Sequence, residues 1–166
     1  MAEVELTAIE SDDDRAAVLG LRRGPGQERF VASVEDSFQD ALDDPRACPR
    51  MWAVRDAGSD EVVGFAMISD GIPDEVLATA DDLVGPYYLW RLLIDERRQG
   101  KGYGTATLDA IIDYVRTRPD ADILWTSCSQ EPDGPRPFYL GYGFRDTGTI
   151  FDEEHLLRYD LTTEDR

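Results

Sequence analysis

Gln99-Gly100-Lys101-Gly102-Tyr103-Gly104 is the stretch on which the reading of this chain turns. Before it runs Tyr87-Tyr88-Leu89-Trp90-Arg91-Leu92-Leu93-Ile94, aromatic and aliphatic, the composition of a buried strand. After it, Leu108, Ile111, Ile112 and Val115 recur at the spacing of one helix face. The order strand, glycine turn, helix puts unpaired backbone N–H groups and a partial positive charge at the turn. Glycine lets that backbone approach an anion, because no Cβ intervenes. The residues alone therefore point to a phosphate site. Lys101 is the only lysine, and with Arg97 and Arg98 it surrounds the turn with cations in an otherwise acidic chain.

Two familiar phosphate patterns fail here. A P-loop needs a glycine five residues before Gly100 and Ser or Thr after Lys101, where Gly102 stands. The dinucleotide pattern Gly-x-Gly-x-x-Gly runs into Thr105 or Thr107 at its third glycine. What fits is Gln/Arg-x-x-Gly-x-Gly/Ala, met by Gln99, Gly102 and Gly104. On those six residues alone, a plain strand-to-helix connection stays open. The flanks and the distal Phe138-Tyr139-Leu140-Gly141-Tyr142-Gly143-Phe144 narrow it. Together they resemble the GNAT superfamily of acyl-CoA-dependent N-acyltransferases, from Met51 to Leu161.

The resemblance implies an α/β (α+β) fold. Its mixed central sheet would have about six to seven strands, splayed between strands 4 and 5 and flanked by about four helices. It implies acetyl-CoA as co-substrate, with Leu92, Leu93 and Ile94 meeting the pantetheine arm through their backbone. Gln99, Gly100, Lys101, Gly102, Tyr103, Gly104 and Thr105 would wrap the pyrophosphate. Tyr139 falls where the family's general-acid tyrosine lies, with Tyr142 as the fallback and Phe138 as core. A phenol titrates near ~10 and so is protonated at neutral pH, able to give a proton to a departing thiolate. The oxyanion donor would be backbone N–H near Leu93 or Ile94.

Within the superfamily the resemblance is to bacterial diamine or spermine/spermidine acetyltransferases. It rests on Trp90-Arg91-Leu92-Leu93-Ile94-Asp95 leading into the glycine turn, then Ile112-Asp113-Tyr114-Val115-Arg116. Three positions depart from the family pattern. Related polyamine enzymes carry glutamate where Trp90 stands; Pro132 takes the place of an asparagine, and Pro135 that of an alanine. No base is thereby identified. The acids read toward the amine are Glu28, Glu35, Asp36 and Asp40, which as easily form a solvated helix face.

Composition bounds the rest. With 166 residues, residues 1–166 read as one domain. Thirty-five acids against 17 bases give a formal charge of -18. That argues against nucleic acid and anionic membrane as partners, which demand clustered basic surface. A small cationic amine fits such a surface, although solvation alone accounts for it. Cys48 and Cys128 make no disulfide framework, and His155 is the only histidine, so no metal is expected. The start Met1-Ala2-Glu3-Val4-Glu5 has no signal-peptide pattern and no run spans a membrane, so the expected location is cytoplasmic. A homodimer is one assembly the resemblance allows.

Read in order, strands are expected over Val4 to Ile9, Met51 to Arg55, Val62 to Ile68, Tyr87 to Ile94, Ile123 to Cys128, Phe144 to Ile150 and Leu156 to Leu161. Helices are expected from Ser11, over Gln27 to Leu42, over Thr105 to Arg118 and over Arg136 to Tyr142. Ser69 to Gly85 reads as a long loop with a helical turn. The function implied is transfer of an acetyl group to a primary amine, such as a polyamine, directly and with Tyr139 as acid. The alternatives are a non-catalytic acyl-CoA-binding or regulatory module and, on another scaffold, a nucleotide-phosphate binder.

Overall fold

Alternating side chains on the central strands feed two separate cores. In the computed structural model, which describes residues 2–162, strands β1 (Val4–Ala8), β2 (Pro49–Asp56), β3 (Val62–Asp70), β4 (Tyr87–Ile94), β5 (Ile123–Ser129), β6 (Arg145–Phe151) and β7 (Glu154–Asp160) form one sheet in the order β1-β2-β3-β4-β5-β7-β6. Trp52, Val54, Ala66, Ile68 and Leu89 face Leu108, Ile111, Ile112 and Val115 of a long helix. Ala53, Phe65, Met67 and Leu93 face the opposite way, against Val18 and Val34. The period of two makes this division along β2 and β3, and an extra residue in β4 puts Leu89 and Leu93 on opposite faces. The helices are α1 (Asp12–Leu19), α2 (Val34–Asp43), the single turn α3 (Asp74–Leu77), α4 (Tyr103–Arg116) and α5 (Arg136–Tyr142). The described residues form the expected α/β fold, with seven strands and with five helices against about four expected, the single turn α3 being one of the five. Among the described residues no helix is long and apolar enough to cross a membrane.

The helix expected over Gln27 to Leu42 is not continuous. Gln27–Arg29 form a 3-10 turn after Gly26, whose φ is 81°. The chain then restarts as α2, capped by the Ser33 side chain, which accepts from the Asp36 N–H. Phe30 and Val31 fit the helical spacing but lie in the connection, and Leu42 is 76% exposed. The strand expected to close the sheet, β7, instead lies between β5 and β6.

β4 is irregular where it meets β3. The two strands pair antiparallel, with Met67 opposite Arg91 and Ile68 opposite Leu89, so Trp90 is an extra residue on β4. Such a bulge bends its strand and strengthens its twist. β4 and β5 run parallel but pair only at Tyr88–Trp125 and Leu89–Thr126. Pairing therefore ends where the bulge begins, and beyond it the two strands part.

Candidate active site

Where the strands part, a cleft of about 610 Å³ opens. Its floor is the outward edge of β4. Asp95 N donates to Val63 O at 2.9 Å, and antiparallel alternation then commits the main chain of Leu93 to β3. The main chains of Leu92 and Ile94 face the gap instead. Both residues line the cleft, whereas Leu93 does not; its side chain is 2% exposed in the α1/α2 core. Two side chains reach carbonyls on this edge, one at the last paired residue, Leu89, and one beyond the parting. Thr126 Oγ1 donates to Leu89 O at 3.0 Å, and Gln99 Nε2 donates to Ile94 O at 2.9 Å.

The far wall is the glycine turn. Gly100 and Gly102 have φ of 78° and 91°, a region that a Cβ disfavours. Gly102 is the N-cap of α4, and no side chain of the described residues caps that helix. The N–H groups of its first turn therefore point toward the cleft without side-chain partners. Gln99, Gly100, Gly102, Tyr103, Gly104 and Thr105 all line it. Lys101 does not, being an exposed side chain on the outside of the turn. Two other cations of that cluster are engaged: Arg97 binds Asp95 at 2.8 Å, and Arg98, which lines the cleft, pairs with Glu61. Gly104 has its own steric reason, because a Cβ there would meet the Phe138 ring at 3.1 Å. Phe138 is 38% exposed and lines the cleft, not the core in which sequence placed it.

Above the splay sits Tyr139 of α5, 8% exposed and packed edge-on against Phe138 and Phe144, each with ring centroids 5.3 Å away. Burial raises its phenol well above the usual range. Cys128 beside it is pushed up to about 11, again by burial. The other phenol, Tyr142, donates to Asp109 of α4 at 2.6 Å and does not line the cleft.

The cleft continues past the splay into a second half, lined by Phe30, Ser69, Tyr88, Asp82, Asp152 and Glu154 among others. Its carboxylates come from the loop before β4 and from the β6–β7 turn. None of the helix acids Glu28, Glu35, Asp36 and Asp40 lines it; Asp40 pairs with Arg91 at 2.5 Å. Ser69 is 1% exposed, and its hydroxyl has no hydrogen-bond partner among the described residues. A buried hydroxyl on a cleft wall is costly unless a ligand or water completes it. Sequence reading missed Asp82, Asp152 and Glu154. Only the pairing of β7 beside β5 brings Glu154 here, with Glu154 opposite Ser129.

The residues present suit an acyl-CoA donor. The outward main chain at Leu92 and Ile94 matches an amide-bearing arm, and the uncapped start of α4 matches a diphosphate. Comparison with known proteins points the same way. Residues 11–144 match the model of the family described as Acetyltransferase (GNAT) family. A spermine/spermidine N(1)-acetyltransferase of Bacillus subtilis (strain 168) is 29% identical over 152 residues, covering 91% of this chain and 95% of that one. A spermidine N-acetyltransferase from Vibrio cholerae, solved in complex with CoA and spermine, has a TM-score of 0.61 at 15% identity, over 94% of this chain and 93% of that one. An aminoglycoside acetyltransferase solved with coenzyme A has a TM-score of 0.69 at 14% identity, over 96% of this chain and 95% of that one. At such identities the two solved structures bear on the fold alone.

Proposed function

The chain belongs to the acetyltransferase (GNAT) family, and from that premise we propose that it moves the acetyl group of acetyl-CoA directly to a primary amine of a polyamine or similar small cation, with Tyr139 as general acid. Acetyl-CoA is the family's acyl donor. The reading is carried by the two-part shape of the cleft. A main-chain edge and an uncapped helix start stand at one end, and Asp82, Asp152 and Glu154 with the unpartnered Ser69 hydroxyl at the other.

The chemistry makes three demands: a neutral amine, a polarised thioester carbonyl and a proton for the departing thiolate. The outward N–H groups of Leu92 and Ile94 supply donors for the developing oxyanion. Tyr139 holds a proton that burial keeps on the phenol, and it stands on α5 beside the splay. Asp152 and Glu154 attract and orient a cation, Asp82 being held by Arg46 at 2.9 Å, and the reacting nitrogen then lies between them and the donor end. Residues Gly100 to Thr105 hold the diphosphate by main chain, and Gln99 braces the turn against Ile94. The B. subtilis relative, named for spermine and spermidine, supports this choice of acceptor.

The test is thiol release from acetyl-CoA over a panel of polyamines, amino acids, aminoglycosides and peptide N-termini. Turnover is expected with spermidine or spermine above the rest. Tyr139→Phe is expected to lower kcat about 10²-fold while leaving the calorimetric Kd for CoA unchanged. Unchanged turnover would remove Tyr139 from its role. CoA binding with no transfer to any amine would favour the non-catalytic acyl-CoA-binding module.

A further inference from the structure

The amine reaches the cleft as an ammonium ion and must lose a proton before it can attack. The β4 position that would carry a glutamate holds Trp90, so β4 supplies no base there. Across the splay, Ser127 Oγ donates to Glu154 Oε1 at 2.7 Å. Tyr88 Oη lies 2.5 Å from the same Ser127 Oγ. Ser127 has one hydroxyl proton, and the carboxylate can only accept it, so Tyr88 is the donor in the second bond. All three side chains line the cleft. Ser127 alternates along β5 with Thr126 and Cys128, so it points to the sheet face opposite theirs.

We propose that Tyr88, Ser127 and Glu154 form a proton relay that deprotonates the acceptor amine, with Tyr88 as the catalytic residue that meets the nitrogen and Glu154 as the terminal acceptor. The inference rests on the acetyltransferase reading above. One N–H bond of the ammonium breaks and its proton passes to Tyr88 Oη. The Tyr88 proton passes to Ser127 Oγ, and the Ser127 proton to Glu154 Oε1. The nitrogen keeps its electron pair, and ammonium plus carboxylate become amine plus carboxylic acid. No phenolate forms, because each oxygen gains a proton as it gives one up. That suits Tyr88, whose phenol burial pushes up to about 12. Glu154 is partly exposed and returns its proton to water.

The charged and titratable groups around the relay leave Glu154 this role. Arg91 of β4 is paired with Asp40, and Arg136 of α5 with Asp146, which also lies 3.8 Å from His155 of β7. Burial holds Cys128 and Tyr139 protonated. Asp152 also faces the cleft but makes no hydrogen bond to Ser127 among those of the described residues. Proton donor and proton acceptor thus come from opposite faces of the sheet at the splay: Tyr139 above it with α5, and the relay below.

The experiment is the pH profile of kcat and of kcat/KM, between about pH 6.5 and 9.5, for the best amine of the panel. It is run on the wild type, Glu154→Gln and Ser127→Ala, with the Kd for CoA measured by calorimetry as the check on folding. Both variants are expected to lose about 10²-fold in kcat near neutral pH. Both should recover about tenfold per pH unit as free amine replaces the relay, with CoA affinity unchanged. A variant that keeps the wild-type pH profile, or that raises the amine KM and leaves kcat alone, overturns the relay and leaves the acetyltransferase reading standing. A wild type inactive toward every amine overturns that reading, and the relay with it.

Discussion

The side chain that ties the donor end of the cleft to the rest of the protein is Asp95. It is 2% exposed, at the end of β4. Its carboxylate accepts from Arg97 Nε at 2.8 Å, from the Arg97 N–H at 2.9 Å and from the Arg22 N–H at 3.1 Å. The glycine turn is thereby pinned to the segment that follows α1. The Arg97 side chain, and then the two main-chain donors, hold the Asp95 carboxyl well below the usual carboxylate range against the opposing effect of burial. A carboxylate with a depressed native pKa contributes stability in full above its unfolded value and loses it as pH falls through the native one. Asp95→Asn should therefore cost about 1.5–3 kcal/mol at neutral pH. Its deficit against the wild type should shrink below about pH 4. Urea unfolding at several pH values reads this, and a deficit that stays constant into acid would show that the charge contributes nothing.

At the scale of elements, the relay carboxylate depends on one tight turn. β6 and β7 pair with Phe151 opposite Glu154, which leaves Asp152 and Glu153 as the loop. Their φ values of 51° and 66° place both in the left-handed region. Two-residue hairpin loops of this kind favour Asn-Gly because glycine carries no Cβ penalty. The turn aims Glu154 into the cleft at a cost in backbone strain. Glu153→Gly should stabilise the protein by about 0.5–1 kcal/mol once the extra chain entropy of glycine is set against the strain relieved. For a chain of this size that corresponds to roughly 1–4 °C in Tm. An unchanged or lowered Tm would mean that the turn stores no strain. None of this is legible in the sequence. The strand, glycine turn and helix around Gly102 could be read because their signals are local: a period of 3.6 and a residue that tolerates positive φ. Phe30 and Val31 misled for a comparable reason, since their spacing fits a helix face while the competing signal is one serine hydroxyl bonding the Asp36 N–H. Leu93 could not be told from Leu92 and Ile94, because the parity of antiparallel hydrogen bonds assigns its main chain to β3. Glu154 was out of reach altogether, as β7 meets β5 only through nonlocal pairing.

At the scale of the whole molecule, the two substrates of the proposed reaction carry opposite charge, and the protein carries a formal charge of -18. The field of such a surface draws a polyamine in and resists the anionic coenzyme. The cations nearest the glycine turn do little to reverse this inside the cleft, since Arg97 and Arg98 are already paired with Asp95 and Glu61 and Lys101 lies on the outside of the turn. Coenzyme binding must then rely on main-chain N–H groups and the helix start, whose influence fades within a turn or so of α4. Salt separates the two contributions. Raising ionic strength shortens the screening length from ~10 Å at 0.1 M to ~3 Å at 1 M, so it removes long-range terms and spares contacts inside the cleft. Between about 0.05 and 0.5 M sodium chloride, the KM for spermidine should rise several-fold while the KM for acetyl-CoA falls. Opposite movement of the two constants in one titration is difficult to produce by a general effect of salt on folding, which would move both the same way. If both rise together, the acidic surface serves only solubility, and recognition of the amine rests on the carboxylates within the cleft.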